Sequence, residues 1–343
     1  MTAGLGAGGP LVLLAAVMNA SFTLPMKRMA GWSWENTWLV WSIFALVMLP
    51  LAAAVGTVPG VLAGYGTVSS ASLLRVVLFG AAWGVAQVLF GLSVADIGIA
   101  LTFSLVLGIS AAVGTVVPFV SLHPDLLLTR TGFFVWSGVA LVCLGMVCCA
   151  MAGRQRERET VADLHAPTAR TDVRSFRQGL LLACVSGLCA SFMNLGISFA
   201  SPLLSMAAAH GSLPYWRVNA VWLPLLLGGA IPNVLYCFYL FSRRRTASNF
   251  LQRGTSTYWL LAFLMAALWF GSTLLFGVAN FYLGSLGPVL GWPVFMSLIV
   301  ISASLLGWAT GEWRTASARP FRLQLTGIAL LVVAVFSFSR AGR

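Results

Sequence analysis

Charge is the scarcest property of this chain. Only 8% of its 343 residues are Asp, Glu, Lys or Arg, against about 25% in a soluble domain. That leaves too little charged surface to cover a chain of this size in water. Acids are scarcer still: eight, against 20 Lys and Arg. They are Glu35, Asp96, Asp125, Glu157, Glu159, Asp163, Asp172 and Glu312, and none lies in the middle of an apolar run. The histidines His123, His165 and His210 stand between runs. No His, Cys or acid cluster has metal-ligand spacing, and no buried Ser or Cys has triad partners. The shortage argues against an enzyme, and no metal and no cofactor are expected. Cys143, Cys148, Cys149, Cys184, Cys189 and Cys237 all sit inside apolar runs, without disulfide-framework spacing; they read as packing residues. The opening "MTAGLGAGGP" has no basic n-region, so no cleaved signal peptide is expected.

Apolar residues are abundant, at 59%. They fall in runs of ~20, each long enough to cross a ~30 Å hydrocarbon layer as a helix. The runs are apolar all round, which excludes the alternating strands of a barrel. The expected class is an all-α polytopic membrane protein. Ten spans are expected, roughly 5–25, 37–56, 76–94, 98–118, 131–152, 179–200, 218–241, 257–280, 288–308 and 322–339. One long polar connector, 153–178, divides them five and five and reads as a solvated linker. Domains of 1–152 and 179–343 follow.

The net charge of +12 does not point to nucleic acid, because nearly every Lys and Arg lies between apolar runs. Fifteen of the 20 basic residues fall after spans 1, 3, 5, 7 and 9, and five (Arg75, Arg130, Arg217, Arg340 and Arg343) fall elsewhere. The richer side is cytoplasmic, which puts both termini in the periplasm and makes 153–178 a cytoplasmic linker. The partner this implies is a lipid bilayer; the oligomeric state is left open.

With five spans per half, a duplicated second half must cross the membrane upside down. A shift of 186 residues brings "FGAAWGVAQVLFG" (79–91) onto "MAALWFGSTLLFG" (265–277). Trp83 then meets Trp269, Phe90 meets Phe276, Gly98 meets Gly284, and the polar Gln87 meets Thr273. The expectation is two inverted five-helix repeats.

Neutral polar and aromatic side chains occur at mid-span depth. Trp83 and Gln87 share a helix face, as do Trp269 and Thr273. Asn19 and Thr23 belong to span 1, Asn194 to span 6, Asn233 to span 7 and Trp292 to span 9. Rings beside neutral hydrogen-bonding groups suit a sugar, whose C–H faces stack and whose hydroxyls bond to amides. A charged substrate requires a buried counter-charge. These nine residues are the expected binding set, although each also fits ordinary packing between helices. Ser104, Gly108, Ala111 and Thr115 form a small-residue strip on span 4. Pro224 and Pro232 in span 7 are expected to bend it, and Pro288 suits a first helical turn. Glu35 and Asp96 are the proton-coupling candidates. Glu35 also fits an anchoring pair with Lys27 or Arg28, and Asp96 a cap on the following helix.

Several segments resemble one family. "PMKRMAGWSWENTW" (25–38), "FGAAWGVAQVLFGL" (79–92), "GGAIPN" (228–233) and "GEWRTASARP" (311–320) are similar to segments of the L-rhamnose–proton symporters, within the drug/metabolite transporter superfamily. The resemblance runs along essentially the whole chain. It implies uptake of L-rhamnose or a similar 6-deoxyhexose with protons, across a bacterial inner membrane, by alternating access. The family has polar residues where this chain has Ser198, Ser201, Leu286, Pro288 and Phe295. Those differences motivate a second reading, an uncoupled facilitator or exporter of another small polar metabolite.

Overall fold

The structure, a computed structural model, describes residues 2–163, 173–311, 313, 314 and 316–342. Among them all regular structure is helical, as expected where lipid can satisfy no backbone group. Ten long helices follow one another: α1 (Thr2–Ser21), α2 (Trp34–Thr57), α3 (Ser70–Ile97), α4 (Ile99–Leu122), α5 (Arg130–Asp163), α6 (Val173–Ser198), α7 (Asn219–Arg244), α8 (Ser256–Leu283), α9 (Gly287–Ala309) and α10 (Ala318–Ala341). Among the described residues, nine continuous helical stretches are long and apolar enough to cross a membrane. One of them, Ser256–Ala309, has 54 residues. Straight, it would run about 80 Å at 1.5 Å per residue; it contains both α8 and α9.

Glycines at positive φ make the tightest reversals. Gly98 (φ +84°) is the single residue between α3 and α4, and Gly284 (φ +75°) follows α8 directly. A side chain is strained in that region. At Gly98 an added Cβ would also lie 2.7 Å from Glu157 Oε2.

Glycine also sets the α3–α7 crossing. A Cβ on Gly80 would strike the Leu225 carbonyl, and one on Gly84 the Gly229 carbonyl. In return, Gly228 meets the Val77 carbonyl and Gly229 the Trp83 ring. The two backbones approach as closely as small-residue transmembrane interfaces allow. Gly91, in the same sequence stretch, faces open space.

The prolines of α7 do not break it; the helix is continuous from Asn219 to Arg244. Pro224 removes the donor for the Ala220 carbonyl, and the Tyr65 hydroxyl donates to that carbonyl instead at 2.8 Å. Burial pushes the Tyr65 phenol up, so it remains a protonated donor. Pro288 lies in the first turn of α9. The irregularity falls in α2, where Phe44–Met48 is a π turn and Leu49 N–H bonds to the Phe44 carbonyl. Pro50 supplies no donor for Leu46, which favours this local widening.

The expected linker begins later than its polarity implies, because α5 stays helical through 153–163. Its charges find partners there. Arg154 lies over Phe176 and Arg156 over Trp313, at 4.7 and 5.0 Å. Glu157 Oε1 accepts from Ala100 N–H at the start of α4, 3.1 Å away. Glu159 accepts from the Ser317 hydroxyl and N–H before α10. The remainder, 164–172, lies outside the described residues.

The principal packing partners are few. Helix α1 packs on α8 and α9, and α6 on α3 and α4. Helix α2 packs on α7 and α8, and α3 on α7. Sequential contacts join α3 to α4, α4 to α5, α8 to α9 and α9 to α10, while α4–α9 and α5–α10 close the bundle.

Candidate functional site

Two clusters occupy the interior. The first is aromatic. Trp83 of α3 and Trp269 of α8 stack with centroids 5.5 Å apart and planes 29° apart. Trp41 of α2 meets Trp269 edge-on at 5.3 Å, and its ring lies 4.4 Å from that of Trp38 with the planes tilted by 31°. Trp38 Nε1 donates to Asn233 Oδ1 at 2.9 Å. Asn233 Nδ2 donates to the Gly229 carbonyl at 2.8 Å and reaches the Gly84 carbonyl at 3.4 Å. Both ends of its amide are therefore committed to protein, tying α2, α3 and α7 together. The Trp83–Trp269 separation is ring-contact distance, so the two indoles touch each other and leave no sugar-thick gap.

The second cluster surrounds the first turns of α9. Asn194 of α6 is fully buried, and its Nδ2 donates to the carbonyls of Gly114 (2.8 Å) and Pro288 (2.9 Å). Trp292 Nε1 donates to the Ser110 carbonyl at 2.9 Å. Phe276 stacks on Phe295 at 4.7 Å and meets Trp292 edge-on. Several hydrogen-bonding atoms here are buried without a protein partner: Asn194 Oδ1, Thr115 Oγ1, Ser110 Oγ, and both amide atoms of Asn280. Gly291 leaves the space into which Asn280 Oδ1 projects. Buried polar atoms are nearly always paired, so the unpartnered amide atoms of Asn194 and Asn280 make this helix start a candidate site.

The sequence-derived residues thus divide. Trp83 and Trp269 come together, as do Asn194 and Trp292. The Thr273 hydroxyl bonds to the Trp269 carbonyl of its own helix. Gln87 and Asn19 are half-buried with no hydrogen bond among the described residues, and Thr23 is exposed. Trp38, Trp41, Ser110 and Asn280 lie outside the set expected from the sequence, where Thr115 figures only in a small-residue strip. Asn280 carried a visible signal, an amide inside the run "LFGVANFYLG". Trp41 and Ser110 carried none that separates them from ordinary core.

The acids are also placed. Glu35 is fully buried, with Thr246 Oγ1 donating to Oε1 at 2.6 Å and Arg244 Nη1 to Oε2 at 3.3 Å. Asp96 accepts from the Ser175 hydroxyl at 3.1 Å. The capping role at α4 that Asp96 could have filled belongs to Glu157.

The family model described as L-rhamnose-proton symport protein (RhaT) matches residues 3–339. The chain belongs to this family. It is a transporter family, so the chain is not an enzyme. Among its relatives, a protein of Salmonella gallinarum is 27% identical over 329 residues, covering 94% of each chain. Relatives from Escherichia coli and Shigella dysenteriae match to the same extent. All three are named L-rhamnose-proton symporter. The chain is accordingly a multi-pass membrane protein of a proton-coupled sugar symporter family.

Proposed function

We propose that this chain takes up L-rhamnose, or a similar 6-deoxyhexose, together with protons. The sugar would bind around the start of α9. The observation carrying this reading is that the buried amides of Asn194 on α6 and Asn280 on α8, each with unpartnered atoms, meet the first turns of α9. Such atoms match sugar hydroxyls as donors and acceptors. Phe276, Phe295 and Trp292 supply rings for the apolar C–H face. The Trp83–Trp269 stack, with Gln87 and Thr273 on the same two helices and Asn19 on α1, forms the second wall of the pathway and parts during the cycle.

The helices are read as two inverted five-helix repeats. Each principal contact supports this by having a counterpart five helices on: α1–α8 with α3–α6, α1–α9 with α4–α6, and α2–α8 with α3–α7. Gly98 and Gly284 occupy equivalent reversals with positive φ. Rocking of such halves about a central site gives alternating access. We place the protein in a bacterial inner membrane with both termini periplasmic, on the asymmetry of its basic loops.

The test is binding of L-rhamnose to the purified protein by thermal shift, compared with Asn280→Leu. Leucine fills similar volume without unpaired polar atoms, so the variant should fold as well as the parent and lose the shift. An unchanged shift would remove this site. One observation favours an uncoupled facilitator or exporter: among the described residues, neither interior cluster contains a carboxylate or histidine.

A further inference from the structure

We propose that Glu35 is the group that binds the coupled proton, and that its pairing with Arg244 and Thr246 latches the two halves of the chain at the end carrying the basic loops. The proposal rests on the proton-symport reading above.

Glu35 opens α2, whereas Arg244 ends α7 and Thr246 follows it. The contact therefore joins the first five helices to the second five. It does not stand alone. Asn36 Nδ2 donates to the Thr246 carbonyl at 3.0 Å, and Asn249 Nδ2 donates to Ser33 Oγ at 3.0 Å. The start of α2 is zipped to the segment after α7.

Among the described side chains Glu35 is the only fully buried acid; Asp96, Glu157 and Glu159 are half-buried, and Asp125 is exposed. Removing a carboxylate from water is costly unless it is paired. Its ionic partner among the described residues, Arg244, is 3.3 Å away and itself 58% exposed, so the compensation is partial. The groups that face Glu35 from α7 are Arg244, Tyr236 and Cys237. The preceding turn, Leu24–Arg28, carries the cations Lys27 and Arg28 in its last residues. From α8, Tyr258 reaches Gly31 N–H through its hydroxyl, at 3.4 Å.

The step balances as one proton. The carboxylate takes it from the open side and becomes a neutral acid. The Arg244 guanidinium loses its ionic partner and turns to solvent, and Thr246 keeps at most one neutral hydrogen bond. The ends of α2 and α7 separate. Release of the proton on the other side restores the carboxylate and closes the latch. An anchoring role would need the charge but would not cycle it.

Hydrogen–deuterium exchange of the intact protein, read by mass spectrometry across a pH series and corrected for intrinsic rates, tests this. In the parent, protection of segments 33–41 and 241–251 should fall at least tenfold as the pH drops through one midpoint, while α3 and α8 stay unchanged. Glu35→Gln should show the low-pH level at every pH, and Arg244→Gln should be deprotected at neutral pH. A parent with pH-independent protection, or a Glu35→Gln variant that keeps the parent's pH response, overturns the latch. Should Glu35→Gln not fold, the parent series and Arg244→Gln decide. In proteoliposomes, Glu35→Gln should reduce gradient-driven accumulation of L-rhamnose at least tenfold more than it reduces sugar exchange. Equal reductions overturn the proton role. A parent that moves no L-rhamnose removes the sugar reading, and the exchange data still judge the latch.

Discussion

Trp83 and Trp269 stack at 5.5 Å, although they belong to different halves of the chain. They are the same position of the 186-residue sequence echo, brought face to face. An aromatic pair is worth about 0.5–1.5 kcal/mol beyond its area. A double-mutant cycle with Trp83→Ala and Trp269→Ala should return a coupling in that range by thermal unfolding. Additive effects within error would show that the stack contributes only area.

The glycines of "FGAAWGVAQVLFG" should not behave alike. Gly84→Ala should be destabilising and should lower yield, because its Cβ meets backbone of α7 and a helix crossing cannot yield as a side-chain tip can. Gly91→Ala meets nothing within 4 Å and should be neutral or stabilising by up to about 1 kcal/mol, from helix propensity. Melting temperatures of the two variants check this directly.

The two buried asparagines near α9 should separate stability from binding. Asn194→Leu breaks bonds to Gly114 and Pro288 and leaves carbonyls unpaired, a loss of about 1–3 kcal/mol. Asn280→Leu removes two atoms that bond to no protein group and should leave the melting temperature level or higher. If Asn280→Leu instead unfolds the protein, its amide is structural and the proposed site is wrong.

Glu157 should act as a helix cap from a distance. Glu157→Ala removes the acceptor for Ala100 N–H and should cost about 0.5–2 kcal/mol. Faster amide exchange at the start of α4, with the start of α3 unchanged, is the signature to look for.

Much of the architecture was legible because lipid imposes it. Charge scarcity and apolar run length locate most of the membrane helices within a few residues, and runs apolar on every side rule out the one other fold that satisfies its backbone in lipid, the closed barrel. The echo of Trp83 and Gly98 in Trp269 and Gly284 pointed to residues that do share a stack and a turn type. Hydrogen-bond commitment was not legible. Asn233 and Thr273 look free in sequence, yet one is tied to Trp38 and the other to its own helix. Which polar side chain is spent on packing depends on partners far away in the chain. Asn280 could be noticed as a polar residue, but only the three-dimensional arrangement shows that its amide is unpartnered. The early end placed on α5 has a similar cause. Polarity marks where a helix leaves the bilayer, not where it stops being a helix.

The most direct test of the whole account is uptake of labelled L-rhamnose into proteoliposomes holding the purified chain, with and without an inward proton gradient. The account predicts accumulation above the external concentration when the gradient is present, abolished by a protonophore and by Asn280→Leu. Uptake that only equilibrates, at one rate with or without the gradient, would contradict it.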